Sequence, residues 1–227
     1  EKVKNYVNSQ GQDNGNQCST TDYTKSTFGN WRNSMLFVAD DGNTEDNYSR
    51  SHLTQTELIV SSIEAIDSVF NIKKVYLDAY KKVSGPGGGT YPEVKREINN
   101  KVTTGTSVMS YIGHGGEAGW ADERVLEVED INSWSNIDKL PLFLTATCEF
   151  SRFDNPERVS AGEHVILNPS GGAIAMLTTV RLVFGGISNN IGFSINFFKH
   201  NITPVGTTYN TFGDAVRLTK VESPIGS

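Results

Sequence analysis

Only two cysteines, Cys18 and Cys148, occur in 227 residues, so no disulfide framework holds this chain together. Cys18 lies in a polar segment and Cys148 closes an apolar run, a poor match for a bridge with each other. No apolar run reaches the roughly 18 residues of a membrane span. Basic residues are in deficit: 20 Lys and Arg against 26 Asp and Glu give a net charge of -6. With no Lys/Arg-rich block either, nonspecific binding to nucleic acid or to an anionic membrane is disfavoured. The four histidines, His52, His114, His164 and His200, show no zinc-ligand spacing. Gly85 to Gly89 lacks the Lys-Ser/Thr ending of a phosphate-binding loop. The opening residues lack the pattern of a signal peptide and read as a helix end, so the chain is expected to be part of something longer.

What is present fits one large α/β domain or a closely packed pair of lobes. Hydrophobic residues make up 37%, and the mean hydropathy of -0.36 suits a globular protein. Residues 1–30 read as the helix end of a preceding region followed by a polar loop rich in Gly, Asn, Ser and Thr. Five short apolar runs then read as strands: Ser34 to Ala39, Lys74 to Ala79, Ser107 to Ile112, Leu140 to Cys148 and Ala173 to Thr178. Helical spacing links Leu53, Leu58, Ile59, Ile63, Ile66, Val69 and Phe70, and further helices are expected over 91–101, 160–167, 187–198 and 212–221. Gly85 to Thr90 reads as a break and 116–139 as a long connection, with a short helix starting at Asp130. Such alternation implies right-handed βαβ units and an open, mostly parallel sheet with helices on both faces.

Two of these runs end in reactive side chains, Tyr111-Ile-Gly-His114-Gly115 and Thr145-Ala-Thr-Cys148. Open α/β sheets collect ligands beyond the carboxyl ends of their strands, so one crevice can receive both. A thiol is mostly protonated at neutral pH and needs a base to make it a nucleophile, which an imidazole supplies. Glycines beside His114 let the backbone approach a substrate closely. The Gly115 and Cys148 amides are then placed to donate to an oxyanion.

The run ending in His114-Gly115, with a second ending in Ala-x-Cys148, resembles the peptidase clan of caspases, legumains and gingipains. Tyr111-Ile-Gly-His-Gly-Gly-Glu117-Ala-Gly-Trp120 is similar to the gingipain branch, as are Trp31-Arg32 and Phe37-Val-Ala-Asp-Asp-Gly42. Phe150-Ser-Arg-Phe-Asp154 most resembles the sortase component of the type IX secretion system. The likeness covers about residues 30–220 and implies a caspase-like catalytic domain over 31–222.

By that resemblance Cys148 is the nucleophile, His114 the general base and Asp40 the carboxylate that orients the imidazole. Asp41 is the alternative third residue, and both also read as plain strand-end acids. Thr179, Arg181 and Glu117 are carried over to the substrate side, with Glu117 also a brace of the His loop. Arginine specificity is not implied, because Asn47-Tyr-Ser-Arg-Ser51 carries no carboxylate where an acidic pocket residue is expected. The implied partners are a protein or peptide substrate and other secretion components, at a bacterial outer-membrane surface or in the secreted fraction. No cofactor or metal ligand set is assigned. The oxygen-rich stretch Asp40 to Asp46 invites calcium, a feature of gingipains, but lacks EF-hand spacing. A non-catalytic binding scaffold of the same fold is the alternative.

Overall fold

The computed structural model of the protein describes residues 2–8, 29–42, 49–183 and 187–223. In chain order these form α1 (Lys2–Asn8), β1 (Ser34–Ala39), α2 (Ser49–Ile66), β2 (Asn71–Tyr76), β3 (Val83–Gly85), β4 (Gly88–Thr90), α3 (Pro92–Thr104) and β5 (Val108–Ile112). There follow β6 (Gly115–Gly116), β7 (Gly119–Trp120), β8 (Leu126–Glu127), α4 (Val128–Ser133), β9 (Leu142–Ala146), α5 (Ala161–Leu167), β10 (Ala175–Leu177), α6 (Ile187–Ile202) and α7 (Phe212–Glu222). They cluster into two compact units, Glu1–Asp40 with Asn71–Val183, and Asp41–Phe70 with Phe184–Ser227.

The first unit is built on a five-stranded sheet of order β10-β9-β5-β1-β2, parallel throughout. The chain runs outward from β1 to β2, returns past β1 to β5, and continues through β9 to β10. Its direction therefore reverses between β1 and β5, the place where such sheets open a ligand crevice. All six residues of β1 and all five of β5 are buried. That explains why both are apolar apart from Ser34 and Ser110: a strand buried along its length has no polar alternation.

On one face, Leu36, Val38, Tyr111 and Phe143 join Val94 and Ile98 of α3, Ile131 of α4 and Val165 of α5 in a continuous core. Pro92 opens α3, where its missing N–H costs nothing. Reciprocal capping boxes, Glu127 with Asp130 and Ser160 with Glu163, fix the starts of α4 and α5. The second unit packs α2 with α6, and α6 with α7. Phe197 meets Phe198 and Phe212 edge to face at 5.6 and 5.7 Å. Thr211 caps α7 by accepting the Asp214 N–H.

β1 lies where the apolar run placed it, while other boundaries moved for identifiable reasons. β2 is Asn71–Tyr76 rather than 74–79, because Leu77–Ala79 tightens into a 3₁₀ turn. The Gly-rich break is a β3–β4 hairpin. The connection at 116–139 holds the antiparallel strands β6, β7 and β8, too short to show a two-residue period. The helix expected from Asp130 begins at Val128. Most of the polar stretch 8–30, including Cys18, and Asn47 and Tyr48 lie outside the described residues.

Candidate active site

β5 and β9 are parallel neighbours in which Ile112 pairs with Ala146. The pairing runs on past the strands, since Gly113 N–H donates to the Ala146 carbonyl at 3.3 Å. His114 and Cys148 each follow two residues after that matched pair. Adjacent strands lie about 4.8 Å apart, so the register brings the backbones of His114 and Cys148 out at the same carboxyl edge of the sheet, on neighbouring strands. His114 is exposed and Cys148 half-buried. Cys148 is a free thiol, and its Sγ lies 3.8 Å from the Val183 carbonyl oxygen.

Asp40, at the end of β1, supports the His loop from below. It is only 2% exposed, and its Oδ2 accepts the backbone N–H of His114 at 2.8 Å. A carboxylate oxygen of Asp40 also comes within 4.8 Å of a ring nitrogen of His114. Fully buried Tyr111 completes the support by donating its hydroxyl to the His114 carbonyl at 2.6 Å. Burial, reinforced by the Asp40 and Glu123 charges, holds the Tyr111 phenol well above its ordinary pKa, so it stays a donor. Gly113 makes this convergence feasible, because a Cβ there would meet Asp40 Cβ at 2.3 Å and Tyr111 Oη at 2.5 Å.

Beyond His114 the chain folds into β6–β7, with Gly115 opposite Trp120. Trp120 is fully buried and stacks on Tyr111, with ring centroids 4.4 Å apart. The motif tryptophan thus anchors the His loop in the core. A Cβ on Gly115 would come within 2.5 Å of Thr147 Oγ1, so the His loop presses directly on the residue before Cys148. Gly115 is thereby held against the neighbour of Cys148.

Glu117 bridges to the segment after Cys148. Its Oε1 accepts from Arg152 Nη1 at 3.2 Å and its Oε2 from Asn155 Nδ2 at 2.7 Å. Arg152 also binds Glu149 at 2.9 Å, and Glu149 holds a left-handed φ of 49° directly after Cys148. The chain after β10 lies along this same loop: Ser151 N–H donates to the Thr179 carbonyl at 3.0 Å and Glu149 N–H to that of Arg181 at 3.3 Å. The Thr179 hydroxyl donates to the Thr147 carbonyl. Arg181, 59% exposed along its side chain, forms a two-point ion pair with Asp154. Its guanidinium holds the Asp154 carboxyl below the usual range.

The sheet therefore brings Cys148, His114, Asp40, Gly115, Glu117, Thr179 and Arg181 to one edge. Glu123 was not singled out by sequence reading. It pairs with Lys82 at 2.6 Å, is 10% exposed, and places a carboxylate oxygen within 4.8 Å of one on Asp40. It belongs to the stretch read as a connection, where nothing in the residue pattern marks it. Of the oxygen-rich stretch 40–46, only Asp40, Asp41 and Gly42 are described. Asp40 Oδ2 is engaged by the His114 amide, and no calcium site is assigned.

The model of peptidase family C25 matches residues 15–224 of the chain. No curated protein matches it. Among solved structures, the Arg-specific cysteine proteinase gingipain R superposes with a TM-score of 0.62 at 16% identity, over 85% of this chain and 42% of that one. The complex of pro- and mature domains of RgpB from Porphyromonas gingivalis gives 0.64 at 16% identity, over 97% and 46%. The fold is therefore the gingipain, caspase-like one, and the chain spans less than half the length of either structure.

Proposed function

The chain belongs to peptidase family C25, and we propose that it is the catalytic core of a cysteine peptidase working through an acyl-enzyme. Cys148 attacks a peptide carbonyl and forms a thioester. His114 takes the thiol proton and passes it to the departing amine. The Gly115 and Cys148 amides donate to the oxyanion, and Asp40 holds the His114 loop. The observation that carries this reading is the Ile112–Ala146 register, from which both reactive residues emerge at equal distance.

Within that reading the substrates are proteins bearing C-terminal sorting domains, cut at an outer-membrane surface. The thioester then passes to water or to a surface amine. The likeness of Phe150-Ser-Arg-Phe-Asp154 to the type IX secretion sortase supports this choice. Thr179 and Arg181 line the approach to Cys148 and receive the substrate, Arg181 meeting an acidic group.

The test uses the full-length protein and a panel of peptidyl acyloxymethyl ketones. The expected result is labelling of Cys148 with Cys18 spared, and loss of all processing in a Cys148→Ala variant whose circular dichroism is unchanged. Retained processing in that variant would falsify the peptidase reading and leave the non-catalytic scaffold.

A further inference from the structure

We propose that Glu117 is a positioning residue that locks the His114 loop to the Cys148 loop through one guanidinium, an inference that rests on the peptidase reading above. The residue sits three positions after His114, at the tip of the β6–β7 hairpin whose other end is fixed by Trp120. It reaches away from its own loop. Both carboxylate oxygens are taken by side chains that follow the nucleophile, Arg152 at 3.2 Å and Asn155 at 2.7 Å. Its backbone carbonyl accepts the N–H of Ala161, the first residue of α5, at 2.7 Å. With a side chain only 12% exposed, Glu117 is engaged with the protein and turned from solvent.

Arg152 is the shared partner. The Nη1 that binds Glu117 also binds Glu149 at 2.9 Å, and Glu149 is covalently next to Cys148. Glu149 occupies the left-handed region at φ 49°, a backbone that a non-glycine residue holds only when its surroundings fix it. One cation between two carboxylates therefore links the hairpin carrying the base to the turn carrying the nucleophile. A charge-assisted link of this kind is directional. Its loss lets the two loops move separately, and small misplacements are costly to a reaction that depends on alignment.

Substrate contact and positioning leave different kinetic marks. A residue that binds substrate changes affinity, whereas one that aligns the reacting groups changes the rate of the bound complex. The experiment uses the full-length protein and the peptidyl acyloxymethyl ketone that labels Cys148 fastest, resolving its inactivation rate constant kinact from its binding constant KI. For Glu117→Gln the expected result is a fall in kinact of about ten-fold with KI within about two-fold of wild type. Asn155→Ala, which removes one of the two partners, should have a kinact between those of wild type and Glu117→Gln. Arg152→Met should reduce kinact at least as much as Glu117→Gln, and adding Glu117→Gln to it should change kinact by much less than Glu117→Gln does alone, because both act through the shared guanidinium.

Unchanged kinact in Glu117→Gln and in Asn155→Ala, with wild-type melting curves, would overturn the proposal. So would a rise in KI alone, which assigns Glu117 to substrate. Additive effects in the double variant would overturn the shared link. Failure of the underlying reading looks different: Cys148 of the wild type would go unlabelled, or label as fast in His114→Ala.

Discussion

Oδ2 of Asp40 accepts the backbone N–H of His114 at 2.8 Å, which ties the end of β1 to the turn after β5 across the point where the sheet reverses direction. The acceptor is buried, so removing it strands a donor without water. Asp40→Ala is expected to cost about 1–3 kcal/mol, read by urea denaturation. Asp40→Asn keeps an oxygen for the amide and should recover most of that stability. It removes the negative charge lying within 4.8 Å of the imidazole, and turnover should stay down by about 10-fold or more. If activity tracks stability across both variants, Asp40 is a scaffold residue alone.

Tyr111 makes the same loop sensitive to alkali. Burial and the nearby Asp40 charge raise its pKa in the folded protein, so the native state holds its proton more tightly than the unfolded chain. The stabilisation is complete below the ordinary tyrosine pKa of about 10 and falls as pH rises above it, because the unfolded state releases the proton first. Tyr111→Phe should lose about 1 kcal/mol at pH 8, from the missing bond to the His114 carbonyl. Its stability should also decline less steeply above pH 10. Parallel slopes for the two proteins, in urea titrations from pH 8 to 11, would contradict the assignment.

How far the site was legible in the sequence follows from what each residue needs. β1 was readable to the residue because a doubly covered strand is apolar throughout and its neighbours are polar. His114 and Cys148 were readable because each ends such a run, and the resemblance named their roles. Their partnership depends on register, and no local pattern encodes that Ile112 lies opposite Ala146. Glu123 and Asn155 were invisible for a related reason, and Arg152 showed only as part of the Phe150–Asp154 likeness, with no role attached. Arg152 and Asn155 act through contacts 35 and 38 positions from Glu117, a separation that no local pattern encodes. Trp120 was noted as a motif residue, but only the structure shows that it anchors the His loop on Tyr111.

Gly115 tests whether the two loops must touch. A methyl group there would lie 2.5 Å from Thr147 Oγ1 and 2.8 Å from the Gly119 carbonyl, so one of them has to give way. The hydroxyl can rotate, but the carbonyl belongs to the β6–β7 hairpin. Gly115→Ala is expected to cost about 1–3 kcal/mol and to lower labelling of Cys148 more than the lost stability explains. Gly115→Ala with Thr147→Ala, which removes the hydroxyl, should not restore the rate, because the backbone contact remains. Full recovery in that double variant would place the whole effect on the Thr147 side chain.

Arg181 and Asp154 offer the last test, on the substrate side. Both are exposed and joined at two points, and an ion pair of that kind is weakened by the surrounding water. An incoming carboxylate can therefore exchange with Asp154 at little cost, while an uncharged group has nothing to replace it with. Asp154→Ala frees the guanidinium and should raise kcat/KM for a peptide carrying Glu near the scissile bond by about 2- to 5-fold, leaving its Gln analogue unchanged. Arg181→Ala should erase the Glu preference without altering the Gln peptide. Added salt should weaken the preference, since exposed charges are screened within about 10 Å at 0.1 M. Equal Glu-to-Gln ratios in all three proteins would remove Arg181 from substrate recognition and leave it as a tie between the Cys148 loop and the segment after β10.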